Sequence, residues 1–127
     1  MSDAPTSADH PSRPSARGHA GAGVAMTREP GGWYRANSAQ VFGDVEIGDG
    51  ASLWFGTLVR GDVAPIRIGA QTNLQDGVIV HSETGLAHHI GEQVTVGHRA
   101  VLHGVEIGNQ ALIGMGALLL SRCKIGA

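Results

Sequence analysis

From Val41 onward one aliphatic residue recurs every sixth position, a spacing that few folds can use. The series runs Val41, Ile47, Leu53, Val59, then Ile68, Leu74, Val80, then Ile90, Val96, Leu102, then Ile107, Ile113, Leu119, Ile125. Glycine often follows directly, as at Gly48, Gly69, Gly91, Gly97, Gly108, Gly114 and Gly126. Two places before the aliphatic stands a small or β-branched residue: Val45, Ala51, Thr57, Thr72, Val78, Val94, Ala100, Val105, Ala111, Ala117 or Cys123. Inward residues two apart within a six-residue unit describe a short strand and a tight turn. One such unit buries almost nothing, so stability requires coils stacked about 4.8 Å apart around a continuous aliphatic axis. Three units per coil give a triangular prism of roughly four and a half coils, an all-β parallel β-helix. A β-sandwich fits poorly, because alternation never lasts a full strand and no hairpin turn pairs the runs.

Composition agrees with many turns and few large side chains: 20 glycines and only 4% aromatic residues. A formal charge of −2 with no basic cluster leaves no footprint for nucleic acid. The single cysteine, Cys123, excludes an intrachain disulfide and any cysteine-based zinc cluster, and its inward repeat position reads as packing. No apolar run approaches the roughly 18 residues that cross a bilayer. The expectation is a soluble, cytoplasmic protein without a membrane partner.

Residues 1–32 are rich in Ser, Ala, Pro, Gly and Arg and nearly devoid of large aliphatics. Such a stretch cannot offset its ordering entropy, so a disordered tail is expected there and a repeat domain over 33–127. It lacks the continuous apolar core of a secretory signal, and Asp3 and Asp9 weigh against a transit peptide. Met26 offers a second start site. His10 and His19, in the tail, are not read as metal ligands.

Three further histidines, His81, His98 and His103, lie inside the repeats, and three imidazoles suffice to hold a metal ion. Around them the run Leu58-Val59-Arg60-Gly61-Asp62, then Ile68-Gly69, Asn73-Leu74-Gln75-Asp76-Gly77-Val78-Ile79-Val80-His81, Val96-Gly97-His98, Leu102-His103-Gly104 and Ile113-Gly114-Met115-Gly116-Ala117 is distinctive. On these residues, 36–127 resembles the γ-class carbonic anhydrase family of hexapeptide-repeat proteins. The resemblance implies a left-handed parallel β-helix; the period of six does not reveal the hand, and the general crossover rule predicts the opposite one.

If units occupy three faces in turn, Val59, Val80 and Leu102 share a face on consecutive coils. Arg60, His81 and His103 then form one outward column, and the extra residues between Val80 and Ile90 form a corner loop. His98 lies at the turn leading away, five extended residues and roughly 16 Å from His103, too far to share its ion. A neighbouring copy must then supply it. The family pattern agrees: a homotrimer with two histidines from one subunit and the third from the next. Trp54 and Gln75, stacked below His98, form a second column expected to meet the first across the interface.

A three-histidine zinc leaves a position for water and lowers its pKa to about 7, and attack of the resulting hydroxide on carbon dioxide yields bicarbonate. Iron or cobalt suits the same donors. By resemblance, Gln75 hydrogen-bonds near the reacting oxygen, Arg60 and Asp62 hold the site through interface contacts, and Asn73 and Asp76 support it. Some relatives carry a proton-shuttling glutamate just after Arg-x-Asp, where this chain has Val63. Glu83, His88 and His89, in the inserted loop, are the remaining proton carriers, the two histidines being read as solvated. The chain stops at Lys124-Ile125-Gly126-Ala127, within a repeat, whereas the resembled family continues through further turns and a C-terminal helix. That reads as a truncated C-terminus with an uncapped coil. Two alternatives remain: a hexapeptide acyltransferase that uses a coenzyme A thioester and one histidine base, or a structural metal-binding trimer with little catalysis.

Overall fold

A computed structural model describes residues 26–104 and 106–127. Residues 1–25, with His10 and His19, lie outside the described residues, as does Val105. Among the described residues fourteen strands follow one another: β1 (Met26–Arg28), β2 (Tyr34–Ala36), β3 (Gln40–Ile47), β4 (Ser52–Leu53), β5 (Leu58–Ile68), β6 (Asn73–Leu74), β7 (Ile79–His81), β8 (His88–Ile90), β9 (Thr95–Val96), β10 (Val101–His103), β11 (Glu106–Ile107), β12 (Leu112–Ile113), β13 (Leu118–Leu119) and β14 (Lys124–Ile125). The described residues contain no helix, hence none long and apolar enough to cross a membrane.

Each strand from β2 on pairs in parallel with the strand one coil away, producing three ladders. The first stacks β2, β4, β6, β9 and β12. The second runs through the first halves of β3 and β5 into β7, β10 and β13; the third runs through their second halves into β8, β11 and β14. The sixth-position aliphatics are the rungs: Leu53, Leu74, Val96 and Ile113 align on one face, Val59, Val80, Leu102 and Leu119 on another, and Ile68, Ile90, Ile107 and Ile125 on the third. Those of the middle coils are buried, while Val41, Ile47, Leu119 and Ile125 at the two ends are partly buried. The three-sided β-helix expected from the period of six is the fold observed.

The lower end differs from the sequence reading. Residues 26–32, assigned there to the tail, form β1 and a turn, and β1 pairs antiparallel with β2. Arg35, not an aliphatic, stands on the rung below Leu53. Its Nε donates to Glu29 Oε1 at 2.8 Å and its Nη1 to the Ala39 carbonyl at 3.3 Å. A solenoid end needs a polar cover over its open core, and this ion pair with β1 supplies one.

Two insertions interrupt the period, and both emerge at the corner between the second and third faces. Opposite the Gly43–Val45 step of β3, strand β5 spends residues 62–65 on a bulge. One coil above, residues 82–87 form the loop between β7 and β8. Both therefore border the end of the histidine-bearing strand.

Candidate functional site

The register of β7 and β10 sets His103 directly opposite His81. Their side chains point outward on adjacent coils, with ring centroids 5.4 Å apart and planes inclined at 67°. Each ring is held by an oxygen through one nitrogen. His81 Nε2 lies 3.1 Å from Asp62 Oδ1, and His103 Nδ1 lies 3.0 Å from Ser121 Oγ. The other nitrogen of each ring has no hydrogen-bond partner among the described residues, leaving one lone pair per ring for a ligand.

Asp62 reaches His81 because the β5 bulge lifts it off the ladder. Arg60 Nη1 binds its second oxygen at 3.2 Å, giving an Arg60–Asp62–His81 chain. Partial burial works to raise the Asp62 carboxyl, but the His81 hydrogen bond and the Arg60 charge outweigh it, and its pKa falls below the ordinary value. A carboxylate kept ionised against an imidazole fixes ring orientation and tautomer.

His98 stands elsewhere, on the turn after β9. It lines an open cleft with Ser52, Trp54, Asn73, Gln75 and Asp76. Its Nδ1 lies 3.6 Å from Asp76 Oδ2, and its side chain is half-exposed. A relay of amides shapes the cleft: Gln75 Nε2 donates to Asn73 Oδ1 at 3.1 Å, and Asn73 Nδ2 donates to Thr95 Oγ1 at 3.1 Å. Trp54 Nε1 donates to Ser52 Oγ at 3.0 Å, which holds the indole beside Gln75. Among the described residues, no three His, Cys, Asp or Glu side chains of one chain converge closely enough to hold an ion.

Glu83 sits exposed in the loop after His81, and Val63 is exposed on the bulge. His88 departs from the expectation of a solvated loop residue. It begins β8, points into the prism, is 0% exposed, and neither ring nitrogen meets the geometry of a full hydrogen bond among the described residues. His89, its neighbour, faces out. Ser121 is the contact that sequence reasoning missed: it belongs to a turn, where the six-residue pattern carries no information.

The chain is 48% identical over 93 residues to a mitochondrial protein of Arabidopsis thaliana named gamma carbonic anhydrase 2, an alignment covering 68% of this chain and 34% of that protein. It is 45% identical over 93 residues to a carbonic anhydrase of Geobacillus kaustophilus, covering 73% of this chain and 51% of that one. Among solved structures it resembles a hexapeptide transferase family protein from Anaplasma phagocytophilum, with a TM-score of 0.58 and 29% identity over 78% of this chain and 72% of that one. No family model matches. The chain spans about half the length, or less, of the curated relatives it matches.

Proposed function

This chain belongs to the γ-class carbonic anhydrase-like family of hexapeptide-repeat proteins, and from that premise we propose that it hydrates carbon dioxide to bicarbonate at metal sites formed between copies of itself. The observation that carries the reading is the His81–His103 pair, two imidazoles in register on adjacent coils, each braced by an oxygen. A general base requires one imidazole; two braced rings a coil apart suit metal ligation.

The donor chemistry fits a borderline divalent ion: two neutral nitrogens from one chain, with His98 of a neighbouring copy as third ligand in a homotrimer. Zinc so held supplies a water of pKa about 7, and iron or cobalt suits the same donors. The remaining steps fall to side chains. Arg60 and Asp62 keep His81 in one orientation. Gln75, its amide donating to Asn73, keeps Oε1 free to accept from a reacting hydroxyl and a second N–H to donate toward a nascent carboxylate. The Trp54 ring beside it offers an apolar wall on which an uncharged, linear substrate can rest. Glu83, exposed in the loop after His81, carries the proton to solvent in place of the glutamate replaced by Val63. Copies meet through an outward apolar patch: Leu112, Met115, Leu118 and Leu120 are each 64–76% exposed on the upper coil.

Stopped-flow hydration by the zinc-loaded protein is expected to collapse to background in His81→Ala and His103→Ala. Equal rates in all three proteins would remove the reading. One observation favours the acyltransferase alternative: His98 stands beside Asp76 on its own cleft, as a base oriented by a carboxylate would. A metal-free protein with acetyl transfer from a coenzyme A thioester would select it.

A further inference from the structure

We propose that Ser121 is a positioning residue for the metal site, fixing His103 so that Nδ1 is engaged and Nε2 faces the ion. The inference rests on the metal-site reading above. Counting by register, the residue above His103 in its column is Leu120, which can hydrogen-bond no ring. The bond comes instead from the next residue. Strand β13 ends at Leu119, and the chain turns at once, with Cys123 N donating to the Leu120 carbonyl at 3.1 Å. Within that turn Arg122 is left-handed, at φ 67°. Its N–H donates to the Gly104 carbonyl at 2.9 Å, so the turn is fastened to the residue that follows His103. Ser121 Oγ is thereby held 3.0 Å from His103 Nδ1 by backbone bonds on both sides of the contact.

The two ligands are thus braced from opposite ends of the column and by different chemistry. Below, the ionised Asp62 holds His81. Above, a neutral hydroxyl holds His103 and adds no charge. Donation of the His103 Nδ1–H to Ser121 Oγ would set the ring as the tautomer whose Nε2 lone pair is available.

The test uses the full chain and zinc. Competition against a chelator is expected to show affinity reduced by about 10- to 100-fold in Ser121→Ala, the usual cost of losing such a partner. Ser121→Thr, which keeps the hydroxyl, should restore it, and urea unfolding of the metal-free proteins should coincide. Independently of metal, nitrogen-15 NMR of the imidazoles should report His103 protonated on Nδ1 in the parent and on Nε2 in Ser121→Ala. Parental zinc affinity together with an unchanged tautomer in Ser121→Ala would overturn the proposal while leaving the metal site standing. A parent chain that binds no zinc would remove the site and this inference with it.

Discussion

At the scale of single residues, His88 is a fully buried imidazole set among aliphatic side chains. It occupies the place two before Ile90, which Val45 and Ile66 fill on the coils below, and it carries two polar atoms there without a full hydrogen bond among the described residues. Burial drives its pKa down to about 4; the Leu102 backbone works the other way, and His103 and His89 add to the decrease. Unfolded, the same ring titrates near 6.5. Between those values the unfolded chain binds a proton that the native chain refuses, so stability rises with pH from about 4 to 6.5 and this contribution is flat above. The window is separate from that of Asp62. Its lowered pKa contributes stability that is complete above the ordinary carboxylate value of 3.8 and lost as pH falls through the still lower native value. Acidifying from pH 7 to 4.5 should therefore cost about 2 kcal/mol through His88 alone. His88→Leu should abolish that slope and add roughly 1–3 kcal/mol at pH 7 by removing unsatisfied polar atoms. Urea unfolding at both pH values checks this; an unchanged slope and midpoint would contradict it. The signal was present in the sequence, since position 88 falls in the small or β-branched series, but the neighbouring loop made it read as solvated.

At the scale of the repeat, the glycines after the rungs are there for a different reason from the one their frequency suggests. Gly48 and Gly69 do not take left-handed turns; the next coil passes over them. A Cβ on Gly69 would meet the Gly91 carbonyl carbon at 2.5 Å, and one on Gly48 would meet the Ala70 nitrogen at 2.5 Å. Gly69→Ala should thus destabilise by about 1–3 kcal/mol, the usual cost of overpacking. Gly114→Ala, where nothing among the described residues lies within 4 Å, should stay within about 0.5 kcal/mol of the parent. Equal midpoints for the two variants would refute the close-approach account. Left-handed corners fall instead on residues such as Gln71, Gln93 and Gln110, at φ 58°, 55° and 63°. Their side chains form a ladder, Gln110 to Gln93 at 3.0 Å and Gln93 to Gln71 at 3.1 Å, which offsets the backbone cost. Counting aliphatics in sixes made every rung from Leu53 upward legible, and with them the corner loop. It could not show the rung at Arg35 or the β1 cap, because a charged residue held by an ion pair is invisible to a hydrophobic count.

At the scale of the whole molecule, the prism is a rod whose chemistry is divided between two sides. His81 and His103 were legible as a column because the period of six fixes which side chains stack, and the ladder sets them in register. His98 was legible only as the histidine that cannot join them, and it lies on its own cleft with Trp54, Gln75 and Asp76. His98 follows β9 on one face and His81 and His103 lie on another, so the three-imidazole site proposed above would need its third ring from a second copy. The most direct test of that division is complementation between two inactive variants. His81→Ala and His98→Ala, purified separately, should each bind no zinc at the site. Co-refolded in equal amounts, they should regain zinc at about a quarter of the sites, the random share in which an intact His81–His103 pair faces an intact His98. A mixture as empty of zinc as its parents, or a His98→Ala variant that keeps zinc on its own, would contradict a site shared between copies.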